Sequence, residues 1–455
     1  MFAKINFHDE FYKKLKLLVL PITMQQFMLA LVSATDAIML GAVSQTSLSA
    51  VSLAGQIQFV LNLFISGISA GSGIMAAQYW GKKDAASIEE VMPIALRTNL
   101  IFSGAFTVFA AVAPEVLMRI FTSDPALIES GAVYLRAVSL SYLLCGISQI
   151  YLILLKNTGY ATVSSRISCT AVVVNIICNA ILIYGLLGLP ALGIQGAAYA
   201  TVAARLVELI WSYLETKQSG RVQIIWKKMF RAADAVLTKD FWRYTTPVLG
   251  AALVWGIAYV SYSVIMGHMG SDAVAANSIT TIAKNMLSCL IRGVSGGAGV
   301  LIGNLLGAGE LDKAKVYGGR LTRMAIVVGM TTGGLLMLIS PLIMRFAPLS
   351  ETAAEYLQYM LIFCGCNIMA QSVNTTVLDG IFCAGGDSKF DMKGNLGAMW
   401  CFSVPFGFFA AFVLKWPVMV VYCIVNLDEI VKIPAVYLHY KKYIWVRNIT
   451  VQEEA

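Results

Sequence analysis

Residues 65–84 read ISGISAGSGIMAAQYWGKKD and residues 291–310 read IRGVSGGAGVLIGNLLGAGE. Laid over each other at a shift of 226, Gly67, Gly71, Gly73 and Gly81 fall on Gly293, Gly297, Gly299 and Gly307. Gln78 falls on Asn304 and Asp84 on Glu310. The same offset carries Pro21 onto Pro247 and Gly41 onto Gly267. Composition alone produces one or two such matches, not a run of them at one ungapped shift. The chain is therefore an internal repeat.

The repeat sits in a very apolar chain. Of 455 residues, 58% are hydrophobic and 13% charged, with a mean hydropathy of +0.74. Soluble domains carry roughly 25% charged residues. This composition excludes a soluble enzyme, a nucleic-acid binder and a disordered chain. The nine cysteines lie in apolar stretches, and Cys364-x-Cys366 matches no zinc or redox spacing. The N-terminal MFAKINFHDEFYKKLK is polar, so no cleavable signal is expected.

A membrane-crossing helix needs about 20 apolar residues. Twelve windows qualify: 16–40, 50–78, 92–114, 132–155, 165–187, 193–215, 244–267, 276–302, 322–345, 355–382, 396–414 and 417–440. Alternate connections are basic, including Lys82, Lys83, Lys156, Lys217, Lys227 and Lys228; the opposite set holds only Arg119, Arg345 and Lys415. By the positive-inside rule both termini are expected in the cytoplasm. The net charge of +8 then reflects cytoplasmic loops rather than an acidic partner. The polar stretch 217–243 is a linker. It separates an N-lobe of six helices (1–216) from a C-lobe of six (244–455). Six per half is even, so the halves enter the membrane in the same sense. Such parallel repeats are a transporter architecture. The glycines are expected to allow close helix packing.

Ionisable groups inside spans mark functional sites by default. Asp36 lies in the first span with no basic residue within a helical turn. Burial disfavours a carboxylate's charged form, so such a group can pass a proton between the two sides, or hold Na⁺ if neutral oxygens converge on it. Asn175 and Asn179 are four apart and share a face of span five. They line a pocket with Asp36 or join helices, and Thr201 in span six supplies a hydroxyl. The second half carries Lys284, Asp379, Asp428, Glu429 and Lys432. Glu429 and Lys432 are spaced to pair, and Lys284 is expected to pair with Asp379. These charges are either architectural or a second site. Arg205 and Glu208 read as a structural pair. The twenty methionines and the aromatics suit an adaptable cavity for apolar cations, and equally suit lipid contact.

These residues resemble a known family. LVLPITMQQFMLALVSATDAIMLG (18–41) and SLSAVSLAGQI (47–57) are similar to the first span and loop of multidrug and toxic compound extrusion (MATE) transporters. AAQYWGKKD (76–84), LGLPALGIQGAAYATV (187–202), GGAGVLIGNLLGAGELDKA (296–314) and DEIVKIPAVYLHYKKYIW (428–445) extend the likeness along the chain. The resemblance implies an all-α integral membrane protein. Its twelve helices would form two six-helix lobes in a V around a central cavity. It also implies antiport by alternating access, in which an organic cation leaves as H⁺ or Na⁺ enters. Asp36 matches the family's first-span carboxylate, Asn175 and Asn179 the polar pair around it, and Thr201 a further site position. Sodium-coupled members carry a Glu in span seven and an Asp in span ten. Those positions fall near Trp255 and Ser372, so both carboxylates are missing.

The expected protein is a monomeric, multi-pass efflux antiporter of the inner (plasma) membrane. Its partners are small organic cations and lipid, with no nucleic acid and no cofactor beyond the coupling ion. The alternatives are a lipid-linked precursor flippase or a dedicated metabolite exporter. The N-lobe lacks the basic cluster a flippase needs. A membrane enzyme is disfavoured because His8, His268 and His439 are scattered, and a channel because the repeat suits alternating access.

Overall fold

A computed structural model describes residues 10–231, 234–346 and 349–451 of the chain; His8 lies outside them. The fold is almost entirely helical. The long helices are α1 (Glu10–Val43), α2 (Gln45–Gly81), α3 (Ala85–Val112), α4 (Pro125–Asn157), α5 (Ala161–Tyr184) and α6 (Ile194–Thr216). After the linker come α7 (Ala235–Gly267), α8 (Ser271–Gly307), α9 (Leu311–Phe346), α10 (Glu351–Phe382) and α11 (Ser388–Val413). The chain closes with α12 (Val418–Val425) and α13 (Asp428–Tyr440).

Among the described residues ten helices are long and apolar enough to cross a membrane: α1 to α5 and α7 to α11. The expectation of twelve spans is supported for these ten. The other two windows fall short for a physical reason. α6 carries Arg205, Glu208 and Glu215, and the last window breaks at Asn426–Leu427 with Asp428, Glu429 and Lys432 just beyond. The eleventh window also starts late, because the helix begins at Ser388 rather than 396.

The repeat is visible in the backbone. α2 and α8 each run 37 residues and end at the paired Gly81 and Gly307. The turn that follows is the same in both halves. Lys83 and Gly309, 226 apart, both take left-handed backbone, at φ 63° and 78°. Asp84 then caps α3, its side chain accepting from the Ser87 backbone N–H at 3.0 Å. Its counterpart Glu310 precedes α9.

The chain divides into two compact units. The first holds 27–80 and 84–249, and the second holds 81–83, 250–455 and the described part of 1–26. The divisions thus fall inside α1 and α7, and the linker 217–243 lies wholly within the first unit. In the second unit Phe11, Leu15 and Val19 of α1 share a core with Ile291, Val294, Ala298 and Leu301 of α8. The repeat glycines make these crossings possible. A Cβ at Gly297 would lie 2.9 Å from a Val19 methyl, and one at Gly293 would collide with Thr23. In the first unit the same crossing joins α2 to the start of α7. A Cβ at Gly67 would lie 2.8 Å from Leu249 Cα, and one at Gly71 2.7 Å from Thr245 Cα. Thr245 and Leu249 are the 226-shifted mates of Val19 and Thr23.

Such contacts leave no room for a side chain. Overpacking a well-filled site costs typically about 1–3 kcal/mol. Gly71→Leu is expected to exceed that range, because the obstruction includes backbone of the neighbouring helix, Thr245 Cα at 2.7 Å. The check is the thermal midpoint of the purified variant, with Gly334→Leu as control, where a Cβ meets nothing within 4 Å.

Candidate functional site

Two polar networks lie inside the helices, one per unit. The first joins α1, α5 and α6. Asn179 Nδ2 donates to Asp36 Oδ1 at 2.6 Å and to Asn175 Oδ1 at 3.2 Å. Asn175 Nδ2 reaches Thr201 Oγ1 at 3.4 Å, and that hydroxyl donates to Ala197 O at 3.0 Å. The structure thus brings together Asp36, Asn175, Asn179 and Thr201, picked out separately in the sequence. The helical spacing of Asn175 and Asn179 puts both amides on one face of α5, where they are buried.

Two features give this network chemical potential. Among the described residues no charged group accompanies Asp36; its environment is burial and the Asn179 amide. The Asn179 carbonyl oxygen is buried with no hydrogen-bond partner. A carboxylate beside a spare amide oxygen can take a proton or a small cation. Unpaired buried charge is costly otherwise.

Nearer the end of α6, Arg205 Nη1 pairs with Glu208 Oε2 at 2.6 Å. Ser148 and Ser168 hydroxyls from α4 and α5 also reach the Glu208 carboxylate, at 3.3 and 3.4 Å. Glu208 is 2% exposed. Every carboxylate oxygen is engaged, which fits the structural pairing read from the sequence.

The second network joins α10, α11 and α13. Lys432 Nζ lies 3.2 Å from Glu429 Oε1 and 3.4 Å from Asp428 Oδ2. It also donates to Asn395 Oδ1 at 3.2 Å. Asn395 Nδ2 in turn donates to Asp391 Oδ1 at 3.0 Å. Asn374 Nδ2 bridges the backbone and side-chain oxygens of Glu429 at 2.6 and 2.8 Å. The expected Glu429–Lys432 pair is present.

The expected Lys284–Asp379 pair is absent among the described residues. Lys284, on α8, lies within electrostatic range of Asp428 and Glu429, which pair with Lys432. Asp379 faces Asp391, Lys432, Glu429 and Arg292. The physical reason is competition: Asp379 is left exposed, in a stretch of π geometry over Thr376–Phe382, while Asp428 and Glu429 supply the buried counter-charge. Asp379 is exposed although it lies in a span.

Sequence reasoning missed Asp391, Asn395 and Asn374. Asp391 sits in KFDMKGN, which reads as a polar connection, yet it is the first turn of α11 and buried. The asparagines carry no charge to flag them. At the two family positions without carboxylates, Ser372 donates to Ala325 O at 2.7 Å and Trp255 stacks on Tyr259. No group of three or more His, Cys, Asp or Glu among the described residues is placed to hold a metal ion. A cavity of about 730 Å³ beside Glu115, Arg119, Glu129 and Arg136 contains none of the network residues.

The family model described as MatE matches twice, at residues 21–181 and 247–409. The two matches begin 226 residues apart, the shift of the internal repeat. The uncharacterized transporter YisQ of Bacillus subtilis is 22% identical over 417 residues, covering 91% of this chain and 90% of its own. The probable multidrug resistance protein NorM of Agrobacterium fabrum is 24% identical over 354 residues, covering 76% of this chain and 73% of its own. A crystal structure of MATE in complex with MaL6 superposes with a TM-score of 0.85 at 18% identity. It covers 95% of this chain and 96% of its own.

Proposed function

Because the chain belongs to the MatE family of multidrug and toxic compound extrusion transporters, we propose that it is a secondary-active antiporter that exports organic cations in exchange for H⁺ or Na⁺. The family and the apolar helices make it a multi-pass membrane protein. The finer reading has twelve spans in two six-helix lobes and a monomer in the plasma membrane. Both termini face the cytoplasm, a reading the loop charges support.

The observation that carries this reading is the Asp36–Asn179 contact at 2.6 Å beside the unpartnered Asn179 carbonyl. In the proposed cycle the Asp36 carboxylate, Asn175 and Thr201 form a polar lining that attracts a cationic substrate. A proton or Na⁺ arriving from outside neutralises Asp36 and weakens its hold on that substrate. The neutralised site returns inward, where it releases the ion and rebinds substrate. Coupling is this mutual exclusion, a reciprocal free energy between two ligands.

The test is efflux of a fluorescent organic cation from proteoliposomes under an imposed pH gradient or an imposed Na⁺ gradient. Transport driven by either gradient supports antiport and names the ion. Failure of every cation tested, with folded protein, moves the reading to a dedicated metabolite exporter or a lipid-linked precursor flippase.

A further inference from the structure

The second network is not used by the cycle just described. It sets two carboxylates, Asp428 and Glu429, against one ammonium, with Asp391 one hydrogen bond further off through Asn395. Lys432 is 4% and Asp428 5% exposed. Burying an ammonium is tolerated only with close counter-charge and satisfied donors. Here three oxygens from two helices meet it at 3.2–3.4 Å: Glu429 Oε1, Asp428 Oδ2 and Asn395 Oδ1. Asn374, 2% exposed, adds an amide whose nitrogen is on Glu429 and whose oxygen has no partner. Arg292 and Lys284 of α8 complete the charged surroundings. Two adjacent carboxylates and a neutral amide oxygen converging on a point are the donor set of a monovalent cation, and the point is filled by a side chain.

We propose that the second unit is built around a monovalent-cation site whose occupant is the protein's own Lys432 ammonium. The tethered charge holds α13 to α11 and, through Asn374, to α10. The site stays neutralised without drawing an ion from solution. The inference bears on the proposed antiport by leaving Asp36 as the place where the coupling ion binds.

Removing the ammonium should open the site to a free cation. The test uses the full-length protein carrying Asp36→Asn, so that no response comes from the first unit. Thermal midpoints are compared in sodium, methylammonium and N-methylglucamine chloride at equal ionic strength. With Lys432 present the three midpoints should coincide. Lys432→Ala should lower the midpoint in N-methylglucamine. Sodium or methylammonium should recover at least about 2 °C of it. Adding Glu429→Gln should abolish the recovery. A purely structural lysine gives a loss that no cation repairs, and that result overturns the proposal. So does a sodium response in the protein that retains Lys432 and loses it on Glu429→Gln. Lys432→Gln, one atom shorter than lysine but still a donor and uncharged, is measured by the same criterion in case the alanine variant does not fold. The antiport reading fails by a different result, coupled efflux that survives Asp36→Asn.

Discussion

Asp36→Asn protein, reconstituted in liposomes, is expected to lose gradient-driven efflux while still binding the exported cation weakly. The substitution keeps the size and the hydrogen bond to Asn179 but removes the group that changes charge. An antiporter without its exchangeable site cannot link the two gradients, so driven efflux should fall by at least about 100-fold, the scale of a coupling free energy near 3 kcal/mol. Facilitated equilibration without a gradient should persist, which separates lost coupling from lost folding. Driven efflux that is unchanged in the variant sinks the assignment of Asp36. Attention then passes to Asp379, an exposed carboxylate inside a span.

Glu208→Leu is expected to destabilise the protein by about 3–5 kcal/mol, because it leaves Arg205, whose side chain is only 21% exposed, without its counter-charge. The magnitude follows from asymmetry. A buried ion pair adds little to stability as a pair, yet breaking one side leaves an uncompensated charge. The double variant Arg205→Met with Glu208→Leu should therefore recover most of the loss. Thermal midpoints of the two singles and the double, taken as a cycle, check this. Efflux by the double variant should be near wild type if the pair is architectural. A double variant that folds well but does not transport makes the pair part of the ion's path.

How legible was this in the chain? The helical architecture and its doubling were, because hydrophobic runs of span length and a shift of 226 survive any detail of packing. The second match of the family model starts at the shifted position. The first network was legible too: Asp36 is an ionisable group in an apolar run, and Asn175 with Asn179 obeys helical spacing. The second network was only half visible. Asp391 hid in a hydrophilic stretch that becomes a buried helix start. Asp379 was assigned the wrong neighbour, since a pairing between two helices depends on their packing, which residue spacing within either helix does not reveal. The two short windows failed for a related reason. α6 and α13 tolerate charge because partners inside the fold satisfy it, and composition cannot see partners.

The division of α1 and α7 between the compact units has a bearing on how such a chain is made. Neither half of the polypeptide contains a finished unit. During synthesis the surface around Gly67 and Gly71 waits uncovered until residues near 245–249 emerge. Residues 11–19 wait in turn for α8. A fragment ending at 216 would expose that glycine surface to lipid or to another molecule. Two copies of a half-length ancestor would meet the same need by trading the start of their first helix, as domain-swapped dimers trade an element. Fusing the copies preserves the trade within one molecule and fixes its stoichiometry, which offers a physical reason for a doubled gene to stay doubled.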